Sequence, residues 1–303
     1  MEPLIYFNGS FVPDGQAVVS VRSRALNYAL GCFGGIRAYA THDGTQLHAF
    51  RLDAHVRRLE QSTRIIGLDL TRSAADVAAL VVELLRKNNM RGDAYVRPIV
   101  FANSNELAPI LDARTSALAI YCQPIGRYLS ANPIDVCVSS WRRVREQAIP
   151  ARAKATAGYL NSALARKEAA DNGFTEAILL TDDGCVAEGS AEHVFMVRDG
   201  ELISPPSTAD NLDGITRRSL ITIAREDLDI PFVERHIGRT ELYVADELFL
   251  CGTGAEITAV GSIDRRTIGD GTTGPITARL SAYFTSVVRG REARRANWLT
   301  PVW

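Results

Sequence analysis

Strand-like and helix-like stretches follow one another along this chain without strict alternation, and that order constrains its fold more than any single motif. A doubly wound parallel sheet needs regular β–α repeats, so the mixture points to an α+β fold. Leu4-Ile5-Tyr6-Phe7 and Phe11-Val12 flank Asn8-Gly9, a dipeptide suited to a two-residue hairpin turn. A second hairpin is expected over 36–50 around His42-Asp43-Gly44. Two helices follow. The first begins near Asp53, carries Val56, Leu59, Thr63 and Ile66 at helical spacing and stops at Gly67; the second follows Ser73 and aligns Val77, Leu80, Val81, Leu84 and Leu85. Strands are expected over 95–102 and 117–121.

At 123–133 the composition turns polar, with Pro124, Gly126 and Pro133, and reads as an interdomain loop. The expected organisation is a smaller N-terminal α/β domain over 1–122 and a larger C-terminal domain over 134–303. The second half opens with a strand over 134–141 and a helix from about Leu160 to Gly173. Strands and turns fill 177–205, with Asp182-Asp183-Gly184 and Arg198-Asp199-Gly200 as turns. A helix follows Asp213-Gly214, a strand occupies 247–251, and a last helix starts at Pro275.

The formal net charge is −1, and no basic stripe offers a footprint for nucleic acid. No apolar run approaches the roughly 20 residues that span a bilayer. Met1-Glu2-Pro3 opens no signal peptide. Cys32, Cys122, Cys137, Cys185 and Cys251 are odd in number and scattered, as expected of thiols in a reducing, cytoplasmic setting. With no CxxC, HExxH or His/Cys cluster, no metal is expected.

Two places are suited to an anion. Asp213-Gly214-Ile215-Thr216 opens a helix, where unpaired N–H groups and the dipole favour negative charge. Gly252-Thr253-Gly254-Ala255 follows an apolar strand and permits close backbone approach. Each signal alone is weak, and ordinary capping is the competing account of both. Lys154 lies in Ala153-Lys154-Ala155-Thr156-Ala157-Gly158, with no acidic neighbour in sequence. It reads either as a lysine extending to solvent or as a desolvated amine able to form a Schiff base. Glu188 reads either as a solvated turn residue or as the partner of a buried cation.

Several ordered blocks choose between these readings. They are Ala153-Lys154, Gly158-Tyr159-Leu160-Asn161-Ser162, Ala187-Glu188-Gly189-Ser190-Ala191-Glu192, Asp213-Gly214-Ile215-Thr216-Arg217 and Gly252-Thr253-Gly254-Ala255-Glu256-Ile257. Ala245-Asp246-Glu247 joins them, and the first half adds Phe33-Gly34-Gly35-Ile36-Arg37, Arg57-Arg58-Leu59 and Tyr95-Val96-Arg97-Pro98. In order and spacing, over nearly the whole chain, they resemble the class IV aminotransferases, the fold type IV enzymes of pyridoxal 5'-phosphate (PLP), and in particular the branched-chain amino acid aminotransferases.

The resemblance implies a two-domain architecture like that of D-amino acid aminotransferase, with PLP in the larger domain. It implies a Schiff base at Lys154, which later moves the proton at the substrate α-carbon. That step needs a neutral amine, whereas a free lysine titrates near ~10.4, so burial and the cationic cofactor must lower it. Glu188 is implied as partner of the pyridine nitrogen, Tyr159 of the phenolic oxygen, and Arg58, Ile215, Thr216 and Thr253 of the phosphate. Gly254 and Ala255 would offer N–H groups to the substrate carboxylate. Tyr28, Phe33, Tyr95, Arg97 and Tyr128 match positions lining the substrate pocket; plain core packing is the competing account of the aromatics. Arg97 and the tyrosines would take the distal carboxylate of glutamate. Tyr28 would be contributed across a dimer interface, making a homodimer the smallest expected assembly. Thr156 is assigned no role, and Arg152 reads as structural.

The expected reaction moves an amino group between L-branched-chain amino acids and 2-oxoglutarate, an amino donor and a keto acid acceptor. Three departures bear on the pocket: Gly34 stands where the family has Glu, Ile125 where it has Trp, and Arg127 at a normally small position. His193 also replaces the usual Asn. A shifted range, towards (R)-amines, D-amino acids or a specialised ketone, is the alternative, and a class IV lyase a more distant one.

Overall fold

Asn8 and Gly9 both take positive φ, 48° and 107°, and turn β1 (Leu4–Phe7) into β2 (Ser10–Pro13). This computed structural model describes residues 2–126 and 129–303. Onward run α1 (Arg24–Tyr28), β3 (Gly31–Phe33), β4 (Ile36–Ala40) and β5 (Leu47–Phe50). Two helices come next, α2 (Leu52–Ile66) and α3 (Ala74–Lys87). Gly67 ends α2 at φ 72°, while Ser73 and Asp76 form a capping box at the start of α3. The strands β6 (Ala94–Ala102) and β7 (Ser116–Pro124) pair along their whole length.

The chain continues through β8 (Ile134–Arg142), α4 (Tyr159–Asp171), β9 (Glu176–Leu180), β10 (Val186–Gly189), β11 (His193–Arg198) and β12 (Glu201–Ser204). It ends with α5 (Ile215–Glu226), β13 (Phe232–Glu234), β14 (Glu247–Gly252), β15 (Glu256–Ile263), β16 (Arg266–Thr267), α6 (Pro275–Val288) and β17 (Leu299–Pro301). No described helix is long and apolar enough to cross a membrane.

Two sheets result. In the first the order is β17-β5-β4-β6-β7-β1-β2, with β3 also on β6, and every pair is antiparallel. The second has the order β10-β9-β8-β15-β14-β11-β12-β13, with β16 on β15. Its β8–β9, β8–β15 and β12–β13 pairs are parallel. This mixture is the α+β arrangement expected from the sequence. The short α1, β3, β13, β16 and β17 go beyond that expectation, because elements of two to five residues show no period. So does β15, whose pairing with β8 shifts register at Gly261, beside the Gly271 carbonyl.

The chain divides into two compact units that are not continuous in sequence. The first comprises Met1–Gly126, Ala153–Ala157 and Ser286–Trp303; the second, Arg127–Arg152 and Gly158–Thr285. The sequence alone puts all of 134–303 in one domain. Two of its segments instead complete the first unit: β17 pairs with β5, and Ala155 forms an antiparallel bridge with Cys32. Val302 is fully buried there, and Trp298 meets Phe50 edge to face.

Each unit has its own core. In the first, Val56 and Leu59 of α2 and Val77, Val81, Leu84 and Leu85 of α3 bury against the sheet. Such side chains contribute about 1.5–3 kcal/mol each. In the second, Val136, Ile178, Val194, Met196, Leu248 and Val260 fill the sheet core. Ala165 and Ala169 let α4 approach Cys137, Ala177 and Leu179 closely.

Candidate active site

Helix α2 buries a second, polar stripe. Arg58 and Ser62, one turn apart, are both buried, and Ser62 Oγ donates to the Arg58 carbonyl at 2.8 Å. The same oxygen accepts from the Lys154 amide at 3.2 Å. The Lys154 carbonyl accepts from the Phe33 amide at 3.1 Å, and Lys154 Nζ lies 5.2 Å from the Phe33 ring centroid. Within the first unit, then, Lys154, Arg58 and Phe33 come together although ~100 residues separate the lysine from its neighbours in sequence.

Phe33 stacks further. The Arg97 guanidinium sits 4.4 Å from its centroid and 5.1 Å from that of Tyr95, and Arg97 Nη2 donates to Tyr95 Oη at 2.5 Å. An aromatic wall with one embedded cation is the outcome. Gly34 interrupts the strands here, its amide bonded to the Pro98 carbonyl. A Cβ at Gly34 would fall 2.8 Å from Pro98 Cγ, and one at Gly35 2.4 Å from Tyr95 Oη. The missing carboxylate at 34 therefore accompanies a local closure by Pro98. Tyr28, at the end of α1, is 38% exposed and donates to the Leu107 carbonyl. Ile125 donates to the Asp93 carbonyl at 3.0 Å, while Arg127 and Tyr128 lie outside the described residues.

In the second unit Glu188 is buried on β10, just past a register shift. Arg143 Nε contacts its Oε1 at 2.8 Å, the Leu212 amide donates to Oε2 at 3.2 Å, and His193 Nδ1 stands 3.9 Å from Oε2. Arg143 also donates to the Asp210 carbonyl, and Asn211 to that of Ala187. These bonds hold 210–212, on the approach to α5, around the carboxylate. Glu188 and the start of α5 are thereby held together. Ile215 and Thr216 are buried at that start, and Gly214 caps it with no side-chain bond. A Cβ on Gly214 would lie 1.9 Å from His193 Nε2, so glycine is required there. Tyr159 is the first residue of α4 and half-buried. Thr253, Gly254 and Ala255 form the turn from β14 to β15, where Thr258 Oγ1 donates to the Ala255 carbonyl at 3.0 Å.

Sequence reasoning missed Arg143 and Ser62. Nothing near Arg143 singles it out, since its contact with Glu188 arises only once β8 and β10 are placed in one sheet. Ser62 carried a signal, a polar residue on the buried side of α2 one turn beyond Arg58.

Glu192 is also buried. Burial, reinforced by the nearby Glu176 carboxylate, pushes its pKa from 4.5 up to about 8. The native state therefore binds more protons than the unfolded chain between those values, so this group's stabilisation is full below pH 4.5 and is lost as pH rises towards 8. Glu192→Gln is expected to flatten that slope. Urea midpoints from pH 5 to 9 measure it, and parallel slopes in parent and variant would refute it.

The family model for amino-transferase class IV matches residues 31–263. A "Probable branched-chain-amino-acid aminotransferase" of Aquifex aeolicus is 42% identical over 98% of this chain and 96% of its own. The branched-chain aminotransferase of Thermoproteus uzoniensis, solved with norvaline, aligns at TM-score 0.95 and 42% identity over 100% of both chains. The T.th. branched-chain amino acid aminotransferase complexed with N-(5'-phosphopyridoxyl)-L-glutamate aligns at TM-score 0.95 and 38% identity, covering 100% of this chain and 99% of that one.

Proposed function

Because the chain belongs to the class IV aminotransferases, we propose that it transfers amino groups between L-branched-chain amino acids and 2-oxoglutarate, with PLP bound at Lys154. The observation that carries this reading is Glu188, a buried carboxylate paired with Arg143 and tied by one loop to the N-terminus of α5. Its relatives' complexes with norvaline and with a phosphopyridoxyl-glutamate adduct support the choice of substrates and cofactor.

The residues present fit PLP. A phosphate calls for buried cations and free helix-start amides, and the chain has buried Arg58 and the Ile215–Thr216 start of α5. A protonated ring nitrogen calls for a buried carboxylate held in place, and Arg143 and the Leu212 amide hold Glu188. When bound, PLP supplies an electron-accepting ring that stabilises negative charge at the substrate α-carbon.

The chain's own groups do the rest. Lys154 Nζ takes and returns the α-proton. Arg58, Ile215, Thr216 and Thr253 hold the phosphate, Tyr159 donates to the phenolic oxygen, and Gly254 and Ala255 orient the substrate carboxylate through their amides. Phe33 and Tyr95, with Tyr28 and Tyr128, accept an aliphatic side chain and exclude water. Arg97, stacked on two rings, supplies the charge that a glutamate side chain needs.

Arg97→Ala should lower kcat/KM for glutamate on the order of 10–100-fold, the loss of one charge-assisted bond, and change that for leucine far less. Equal loss for both substrates would overturn the assignment. The whole reading is tested by adding single donors to the PLP form and following its visible band. Leucine and glutamate should discharge it, while a D-amino acid and an (R)-arylalkylamine should not. Borohydride reduction should fix the cofactor to Lys154; a label on another lysine would refute the site.

We further infer a homodimer or higher assembly in the cytoplasm. Val18, Val21, Leu26 and Leu107 are all exposed, and the ion pair of Arg24 with Glu106 joins their two segments. That apolar surface suits a second copy of the chain. The free, mostly buried thiols suit a reducing compartment. Sedimentation of the purified protein as a monomer would exclude the dimer.

A further inference from the structure

Thr156 lies two residues beyond Lys154 and touches the turn that leads into β3. Its Oγ1 is 2.5 Å from the Ala29 carbonyl and 3.0 Å from the Gly31 carbonyl. We propose that Thr156 is the positioning residue for Lys154, an inference that rests on the reading of Lys154 as the PLP lysine.

The lysine segment has little regular structure to hold it. A single bridge joins Ala155 to Cys32, and 3-10 geometry begins only at Thr156. Upstream, the segment is fastened by the Lys154 amide to Ser62 Oγ and by the Phe33 amide to the Lys154 carbonyl. Downstream, the Thr156 hydroxyl does this work from a side chain. One hydroxyl carries one proton, so the two carbonyls share it, with Ala29 the closer.

Ala29 itself points to the importance of this bond. It sits at φ 54°, ψ 35°, a left-handed conformation that alanine enters at a cost. Held so, its carbonyl accepts from Thr156 immediately after Tyr28. The hydroxyl thereby links the backbone of Lys154 to the end of α1, and the bond from the Phe33 amide sets that backbone beside Phe33, whose ring centroid lies 5.2 Å from the amine. A displacement of about 1 Å at a reacting group can cost on the order of 100-fold in rate. Losing one anchor of so short a segment allows a displacement of that size.

The test compares Thr156→Val, which keeps the shape and removes the donor, with Thr156→Ser, which keeps the donor. In the PLP-loaded enzyme the valine variant should lose about 10–100-fold in kcat. Its KM for leucine should stay within about twofold, since no side chain assigned to substrate binding is removed. Amide exchange at Phe33 should quicken, reporting a loosened bond to Lys154. The serine variant should keep both parental values. If the valine variant does not fold, Thr156→Ala replaces it with the same expectations. Parental kcat in the donor-less variant, or equal loss in the serine variant, would overturn the proposal. Borohydride labelling of the parent separates the two readings. A parent not labelled at Lys154 sinks the functional assignment itself, whereas a labelled parent with an unaffected valine variant sinks only the role of Thr156.

Discussion

Lys154→Ala will lose at least about 10,000-fold in transamination, the upper range for removing a positioned general acid–base group. The fold should survive. Two bonds that fix this residue run through its backbone, to Ser62 Oγ and from the Phe33 amide, and alanine keeps both. The melting temperature should accordingly change by no more than a few degrees. Phosphate contacts elsewhere should retain part of the PLP, released by dialysis faster than from the parent. A small primary amine added in solution should restore a measurable fraction of the rate. A variant that turned over at a tenth of the parental rate would place the reacting amine elsewhere.

Glu188 carries the second large effect, and its two substitutions separate charge from packing. Glu188→Ala leaves the Arg143 guanidinium, 12% exposed, without its carboxylate, a loss of up to about 3–5 kcal/mol in stability. Glu188→Gln keeps the shape and an acceptor for the Leu212 amide, so it should be far less destabilised. Its turnover should still fall about 100-fold or more, because no charge then holds the ring nitrogen protonated. Urea unfolding and half-reaction rates, measured on the same two proteins, check both statements. Equal stability of the alanine variant and the parent would show that the Arg143 pair contributes nothing. Parental rates in the glutamine variant would remove Glu188 from the chemistry.

What the sequence made legible was mostly local. The Asn8-Gly9 turn, the Ser73 cap, the Gly67 stop and the Asp213-Gly214 entry into α5 each rest on a conformational preference of one or two residues, and each is found as expected. The ordered blocks that resemble class IV aminotransferases chose between the two readings that local chemistry left for Lys154 and Glu188, and they alone nominated Arg58. Long-range partners were hidden. Arg143 meets Glu188 only through sheet order, and Thr156 meets Ala29 only because the lysine segment lies against β3. Neither pairing leaves a period or composition to read.

The pairing of β17 with β5 has a consequence for synthesis. These strands are about 250 positions apart, and the fully buried Val302 belongs to the same closure. A ribosome adding roughly 5–20 residues per second completes β7 about 9 to 35 seconds before it reaches β17. Throughout that interval the outer edge of β5 has no neighbour, and an open edge is a template for pairing with the wrong chain. Until β17 is made, the first sheet lacks its closing strand, and its β5 edge is the place where mispairing is to be expected.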